Sequence, residues 1–226
     1  LRNMGTIAGN LCQHSRCWYY RGPFHCFLKG GSHCYAEHGQ NAHHAILGGG
    51  PCYTVQPSDP APALIALDAE LKIASSAGER AVSLEEFFTL PTREARKLNA
   101  LEPDELIIEV RVPTPGPESR GVYLKAMERK VWAFALVSVA AQLSWRDGRV
   151  DEARLVLGGV APVPWRARAA EDLLRGRQIN GPVAEEAAGA AVDGARPLEH
   201  NSYKVPLAIA LLRRALLTLA SRRTEG

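Results

Sequence analysis

The chain has 226 residues, of which 46% are hydrophobic and 23% charged, and its formal net charge at pH 7 is +3. These values are typical of an ordinary globular protein, with room for one large domain or two smaller ones. The basic residues are dispersed among acidic ones, which argues against a nucleic-acid-binding surface. The longest apolar run, VPLAIALL, is too short to span a bilayer, so we expect no membrane insertion.

The first half of the chain begins with an irregular region. Turn sequences such as RGP, KGGS and GGGP predict a loop with short elements over the first 57 residues. SDPAPALIALDAE predicts a helix with Ser58 or Asp59 as its N-cap and prolines in its first turn. LKIASS and ELIIEVRV predict strands, and SLEEFF between them predicts a short helix capped by Ser83.

The second half begins after PTPGPES, residues 113–119, a proline-rich linker candidate. Three strands are predicted at VYLKAMERK, WAFALVSVAAQLSW and RLVLGGVAP, with RDGRVD as a hairpin turn between the last two. Three helices follow at WRARAAEDLLRG, PVAEEAAGAAVDG and NSYKVPLAIALLRRALLTLASRR. The predicted fold class is α+β. Its first unit spans 1–114, and its second, a three-stranded antiparallel sheet with a three-helix bundle, spans 115–226.

All five cysteines lie in the irregular, glycine-rich segment between Asn10 and Asp59. Their spacing is Cys12-x4-Cys17-x8-Cys26-x7-Cys34-x17-Cys52. Such a concentration of thiols in one loop asks for a chemical reason.

Four interpretations of the cysteines compete. Free buried thiols are unusual at this density in a polar loop, and an odd count with no sign of secretion disfavours disulfides. Zinc sites usually present two cysteines separated by two to four residues, which only the first pair approaches. Widely spaced thiolates on a wrapping loop favour a [4Fe–4S] cluster, and Trp18, Tyr19, Tyr20 and Phe27 would keep it dry. The histidines are interpreted as surface residues or as residues just outside the ligands.

A second pattern, TIAGN at residues 6–10, is a glycine-containing turn flanked by Thr6 and Asn10. A plain turn is the default interpretation. The same pattern also offers backbone N–H groups and two polar side chains to a phosphate.

These residues carry a resemblance to a known family. RNMGTIAGNLCQ resembles the second flavin motif, R-N-x-G-T-[IL]-[GA]-G-N, of the FAD-binding subunits of the xanthine dehydrogenase and molybdenum hydroxylase family. The resemblance continues in order through PSDPAPALIALDA, ELIIEVRVP, YLKAMERKVWAFALVSVAA and LVLGGVAPVPWRARAAEDLLRG. The segment NLCQHSRCWYYR, with the later cysteines, is similar to members whose flavin subunit carries an inserted [4Fe–4S] loop, the type seen in periplasmic aldehyde oxidoreductase and 4-hydroxybenzoyl-CoA reductase.

The resemblance implies a role for each cysteine. It makes residues 10–57 the cluster loop and leaves Cys12 as a supernumerary thiol beside the flavin motif. The implied ligands of the cluster are Cys17, Cys26, Cys34 and Cys52.

The resemblance also implies the flavin contacts. Three residues of the motif would hold the FAD pyrophosphate or the ring edge, and two at the next helix start would meet the ribityl and phosphate region. Ile107 would pack on the isoalloxazine and Lys125 would approach its polar edge; the plainer interpretations are strand core and a solvated lysine. The motif and helix residues are Thr6, Gly9, Asn10, Ser58 and Asp59.

The implied fold of the first unit is the second half of a two-subdomain FAD-binding domain with an inserted Fe–S loop. The family's first glycine-rich motif, of the A-G-G-T type, has no counterpart in this sequence, so we expect the N-terminal flavin subdomain to be missing.

The resemblance implies an electron-transfer subunit of a multi-subunit molybdenum-containing aldehyde oxidoreductase, passing electrons from Mo and [2Fe–2S] centres through FAD to an external acceptor. The implied partners are a molybdenum-cofactor catalytic subunit and a [2Fe–2S] subunit, in a heterotrimer or a dimer of heterotrimers. The expected location is the cytoplasm, or the periplasm if the complex is exported on a partner's signal. The alternative is a non-redox module that binds zinc or docks partners.

Overall fold

Residues 3–94 and 96–222 are described by a computed structural model of the chain. The helices in chain order are α1 (Ile7–Leu11), α2 (Trp18–Arg21), α3 (Pro60–Ala66), α4 (Leu84–Phe87), α5 (Arg168–Leu174), α6 (Gly181–Ala190) and α7 (Lys204–Arg222). The strands are β1 (Glu70–Ser75), β2 (Gly78–Ser83), β3 (Leu106–Arg111), β4 (Ser119–Ala126), β5 (Val137–Arg146), β6 (Arg149–Gly158) and β7 (Trp165–Arg166).

The strands form two antiparallel sheets, in the orders β2-β1-β3 and β4-β5-β6-β7. The α+β class is therefore confirmed. The second sheet contains the three predicted strands and one addition, the two-residue β7 at its edge. Strand β2 is a further addition to the predicted strands, because its residues are mostly exposed and show no alternating apolar pattern.

The second sheet has a core on each face, because alternate residues of a strand point to opposite sides. Val139 and Ala141 of β5 pack in the core shared with α5, α6 and α7, whereas Ala140 packs in the core shared with α3 and the first sheet. Helix α3 thus lies on the opposite face of β5 and β6 from the three C-terminal helices.

Local rules account for several element boundaries. Ser83 caps α4 by accepting a hydrogen bond from the Glu86 backbone N–H at 3.2 Å, as predicted. The β5–β6 hairpin turns at Asp147 and Gly148, both of which have positive φ (49° and 84°), as a type I′ turn requires.

Two of the predicted strands are shorter than expected. Strand β4 ends at Ala126 and β5 begins at Val137, so residues 127–136, which we call the 127–136 loop, belong to neither strand. Trp132 in this loop has a φ of 58° and is 77% exposed, a combination that suits a loop rather than a buried strand.

The cysteine-bearing segment contains only short helical turns, as predicted. Its part around Ile46 and Leu47 packs in the C-terminal core. Ile46 and Leu47 are buried among residues of β5, β6 and α7, and both of their backbone N–H groups donate to the Val160 carbonyl. The segment is therefore attached to the core that the second sheet shares with the C-terminal helices.

Candidate cofactor site

The flavin motif forms the short helix α1. Thr6 is its N-cap, and the Thr6 side-chain oxygen accepts a hydrogen bond from the Gly9 backbone N–H at 3.0 Å. Thr6, Gly9 and Asn10 are exposed, and α1 packs against α3 and β3. The polar face of the motif is therefore accessible to a ligand.

Asn10 contacts the beginning of α3, although 48 positions separate it from Ser58. The Ser58 hydroxyl donates to Asn10 Oδ1 at 2.7 Å and accepts from the Ala61 backbone N–H at 3.3 Å. Ser58 thus caps α3 by its side chain and fixes the flavin motif beside it.

Asp59, the next residue, is bound by two side chains of β4. Lys125 Nζ lies 2.7 Å from Asp59 Oδ2, and the Tyr123 hydroxyl donates to Asp59 Oδ1 at 3.0 Å. Lys125 also donates to the Ala133 carbonyl at 2.8 Å, in the 127–136 loop. Lys125 is therefore engaged in an ion pair rather than solvated; its part in binding a flavin stays a prediction.

Ile107 lies in the core of the first sheet. It is 7% exposed and pairs with Ile73 of β1. The structure places this residue as strand core, the plainer of its two interpretations, and its contact with an isoalloxazine ring stays a prediction.

A cavity of about 390 Å³ lies beside Ser58 and Asp59, and we call it the large cavity. Its walls include the 127–136 loop, the start of α2 and the segment around His43. The Arg16 guanidinium carbon lies 5.2 Å from the Phe134 ring centroid, which closes one side. Aromatic and polar side chains together suit a planar heteroaromatic ligand.

Cys17, Cys26, Cys34 and Cys52 line a second, enclosed cavity, which we call the cysteine cavity. Its remaining walls include Tyr19, Tyr20, Phe27 and Leu28. The space between the side chains measures about 10 Å³, so anything larger than a water would require the thiols to turn outward.

Hydrogen bonds and burial shift the pKa of three of these thiols, those of Cys17, Cys34 and Cys52. The pKa of Cys34 is lowered to about 6 by a hydrogen bond with the Cys52 thiol, and the same bond raises the pKa of Cys52. Burial raises the pKa of Cys17, while the backbone N–H groups of Tyr19 and Tyr20 act in the opposite direction. Backbone N–H donors thus favour the thiolate at these sulfur atoms, although at Cys17 burial outweighs them.

Cys12 lies outside this group. It follows α1 as its C-cap and packs against the core of the first sheet. The structure therefore separates Cys12 from the four cysteines that the sequence analysis groups together.

His44 is predicted to be a surface residue or a residue just outside the ligands, and the structure buries it against Cys17. His44 is 3% exposed, and its Nε2 lies 3.1 Å from Cys17 Sγ. Burial lowers the pKa of His44 to about 4, so the ring is neutral at pH 7.

The backbone around His44 is held from the C-terminal domain. Lys204 Nζ donates to the carbonyls of His43, His44 and Gly159 at 3.0, 3.0 and 2.7 Å, and Asn201 donates to His44 O at 3.1 Å. No sequence pattern indicates these contacts, because about 160 positions separate the two segments.

Two negative findings hold for the described residues. Over 3–94 and 96–222, no three His, Cys, Asp or Glu side chains are grouped as ligands of a single metal ion. None of the helices in the same ranges has the length and apolar character needed to cross a bilayer.

Comparison with known proteins gives two consecutive family matches. Residues 1–115 match the FAD binding domain in molybdopterin dehydrogenase, and residues 122–219 match the CO dehydrogenase flavoprotein C-terminal domain. Among curated proteins, the chain is 37% identical to the aldehyde oxidoreductase FAD-binding subunit PaoB of Escherichia coli K12, over 92% of this chain and 63% of that protein. It is 28% identical to the carbon monoxide dehydrogenase medium chain of Afipia carboxidovorans, over 74% and 58%.

Solved structures agree with this assignment. A chain of quinoline 2-oxidoreductase from Pseudomonas putida 86 is 31% identical with a TM-score of 0.63, over 81% of this chain and 60% of that one. A chain of a Cu,Mo-CO dehydrogenase, at 22% identity, shares the fold with a TM-score of 0.69 over 98% and 63%. The chain thus spans about three-fifths of the relatives it matches. It belongs to the family of FAD-binding domains of the molybdopterin dehydrogenases.

Proposed function

We propose that this chain is the FAD- and [4Fe–4S]-binding electron-transfer subunit of a multi-subunit molybdenum-containing aldehyde oxidoreductase. Residues 1–114 form its flavin unit, with the cluster loop at 10–57, and residues 115–226 form its C-terminal domain. The observation that carries the proposal is the cysteine cavity, which gathers four thiols from one loop next to the large cavity.

The donor set of the cysteine cavity suits an iron–sulfur cluster. Four thiols around one enclosed space match the four iron corners of a cubane, and Cys26, Cys34 and Cys52 are each less than one-tenth exposed. The aromatic and aliphatic walls exclude water, and the backbone donors near Cys17 and Cys34 stabilise thiolate. Cluster binding would separate the Cys34 and Cys52 thiols, which now share a hydrogen bond.

The polar residues around the large cavity suit FAD. Thr6, Gly9 and Asn10 present exposed polar groups of the flavin motif, and the linked Ser58 and Asp59 border the cavity itself. Lys125 places a positive charge behind Asp59 and fixes the 127–136 loop. When bound, the flavin and the cluster supply the electron-transfer chemistry, and the chain's residues hold and orient them.

The partners follow from the relatives. The curated relatives are subunits or chains of larger enzymes, and the one at 37% identity is the FAD-binding subunit of an aldehyde oxidoreductase. We infer an aldehyde as the substrate of the whole enzyme, oxidised on a molybdenum-containing partner subunit, and a [2Fe–2S] partner subunit that delivers the electrons.

The direct test is the iron, zinc, acid-labile sulfide and flavin content of the anaerobically purified natural assembly that contains this chain. We expect about four irons with matching sulfide for each chain, in addition to those of any partner. Substitution by serine of Cys17, Cys26, Cys34 or Cys52 should remove this iron. Cys12→Ser is the matched control and should leave it unchanged, because Cys12 packs elsewhere.

The proposal has two clear ways to fail. Zinc without sulfide at the four cysteines would identify the non-redox module instead. Iron loss in Cys12→Ser, with full iron in one of the other four variants, would place the cluster on a different ligand set.

A further inference from the structure

We propose that His44 donates a hydrogen bond to the sulfur of Cys17, the ligand candidate that borders the large cavity. This hydrogen bond raises the reduction potential of the cluster. The inference rests on the proposed function, because it needs the cluster that Cys17 would help to hold. His44 is here a positioning residue, acting through the sulfur rather than on a substrate.

The geometry holds His44 against Cys17. The 3.1 Å distance from His44 Nε2 to Cys17 Sγ is within hydrogen-bonding range for sulfur. The Trp18 ring packs edge-on against His44 with centroids 5.2 Å apart. Lys204 and Asn201 bind the His44 carbonyl, so both the ring and the backbone are fixed.

The direction of this hydrogen bond follows from chemistry. A cysteine that binds iron is a thiolate and has no proton to donate, so the bond forms only if Nε2 carries the proton. A neutral imidazole then has its lone pair on Nδ1. Among the described residues, Nδ1 of His44 is buried without a hydrogen-bond partner, so a proton there would have no acceptor, whereas a proton on Nε2 meets the Cys17 sulfur.

A hydrogen bond to a cluster sulfur favours the reduced state. Reduction adds one electron to the cluster and increases the negative charge on its sulfur atoms, so a donor is bound more strongly after reduction than before. The donor therefore raises the potential. Since His44 is buried, the effect is less weakened by water than at an exposed site.

Cys17 has a position that the other three ligand candidates lack. Among the described residues, it alone borders both the cysteine cavity and the large cavity. His44 also borders the large cavity, beside the same sulfur. A donor to Cys17 thus acts on the ligand sulfur that borders the cavity proposed for the flavin.

The test is a redox titration of the assembled enzyme, followed by low-temperature EPR of the reduced cluster, in His44→Leu and His44→Gln variants. His44→Leu removes the donor and should shift the reduction equilibrium about tenfold toward the oxidised form, which is about 59 mV for a one-electron couple. His44→Gln keeps an N–H donor and should stay near the wild-type potential. His43→Leu is the control, because His43 borders the same cavity and is half exposed, but its ring has no contact with Cys17 among the hydrogen bonds of the described residues.

Three results would overturn the inference. An intact cluster with unchanged potential in His44→Leu removes the donor role, and an equal shift in His43→Leu assigns the effect to cavity polarity. If His44→Leu assembles no cluster, pulsed EPR of ¹⁵N-histidine-labelled protein replaces the titration. The inference requires a weakly coupled ¹⁵N nucleus in wild type that is absent in His44→Gln. Absence of this coupling from wild type is the third result that overturns the inference. Absence of iron from the wild-type chain is a separate outcome and refutes the proposed function instead.

Discussion

Lys125 Nζ lies 2.7 Å from Asp59 Oδ2 and joins β4 to the start of α3. The same ammonium binds the Ala133 carbonyl, so a single side chain connects both sheet and helix to the 127–136 loop. The Lys125 side chain is 15% exposed and that of Asp59 is 41% exposed. The ion pair is thus a structural element of the proposed flavin site, and contact with solvent weakens it.

This pair gives a first prediction. In a double-mutant cycle of Asp59→Asn and Lys125→Met, the coupling in unfolding free energy should be at most about 1 kcal/mol. The coupling is small because the Asp59 side chain is 41% exposed to solvent. Flavin retention should fall several-fold in Lys125→Met, since the loop loses its anchor. Flavin per chain after gel filtration measures this effect. Full retention in Lys125→Met would remove the lysine from the site.

The second prediction concerns Gly31, which lies between Cys26 and Cys34 in the proposed cluster loop. A Cβ at this position would overlap the His25 carbonyl oxygen, which belongs to the rigid backbone. Gly31→Ala should therefore displace the turn between Cys26 and Cys34 and lower the iron content at least about twofold. Gly116→Ala is the control, because its Cβ would meet only Ser119 Oγ at 3.9 Å. Full iron in Gly31→Ala would contradict the described turn.

The third prediction is a pH dependence set by Lys204. Burial lowers the pKa of Lys204 from 10.5 to about 7, and this effect outweighs the three carbonyls that favour the charged form. Above pH 7 the unfolded lysine keeps its proton and the folded one loses it, so the unfolded state binds more protons. The free energy of unfolding should therefore rise with pH from about 7 toward 10.5, by about 1 kcal/mol per pH unit from this group.

Unfolding of wild type and Lys204→Met between about pH 7 and 9 measures this contribution. His44 is already neutral over that range and does not obscure it. The slope difference between the two proteins should be positive, whereas the exposed Lys130→Met should match wild type. Equal slopes for wild type and Lys204→Met would mean that the buried lysine keeps its charge.

The fourth prediction concerns Glu171 at the start of α5. Its side chain is 5% exposed and accepts hydrogen bonds from Arg166 Nε at 3.0 Å and the Leu155 backbone N–H at 2.8 Å. Glu171→Gln should lower the unfolding free energy by about 2 kcal/mol, because it leaves Arg166 less well paired in a buried position. Glu85→Gln, which affects a partner of the same arginine that is 30% exposed, should cost less. Chemical denaturation of both variants checks the order, and the reverse order would contradict it.

The sequence predicted what short-range rules determine. The cap at Ser83, the hairpin at Asp147 and the beginning of α3 each depend on a few adjacent residues, and all three are in the structure. Strands β2 and β7 have no such local pattern: β2 is largely exposed and β7 has two residues.

The candidate site divides in the same way. Asn10, Ser58 and Asp59 come from motifs that can be read locally, and the fold brings Asn10 to Ser58. His44 and Lys204 depend on a contact across 160 positions, and the burial that makes each of them important is set by packing rather than by neighbours in the sequence. Ile107 shows the opposite limit, because an apolar strand residue reads the same whether it faces a core or a cofactor.

The attachment of the cysteine segment to the C-terminal domain bears on how such a loop is gained or exchanged. The backbone N–H groups of Ile46 and Leu47 donate to the Val160 carbonyl. The carbonyls of His43 and His44 accept hydrogen bonds from Lys204 and Asn201. Residues 10–57 therefore depend on contacts with the rest of the chain for their conformation. A flavoprotein that received this loop would also need residues equivalent to Val160, Asn201 and Lys204. Without them the transplanted cysteines would lack a fixed arrangement.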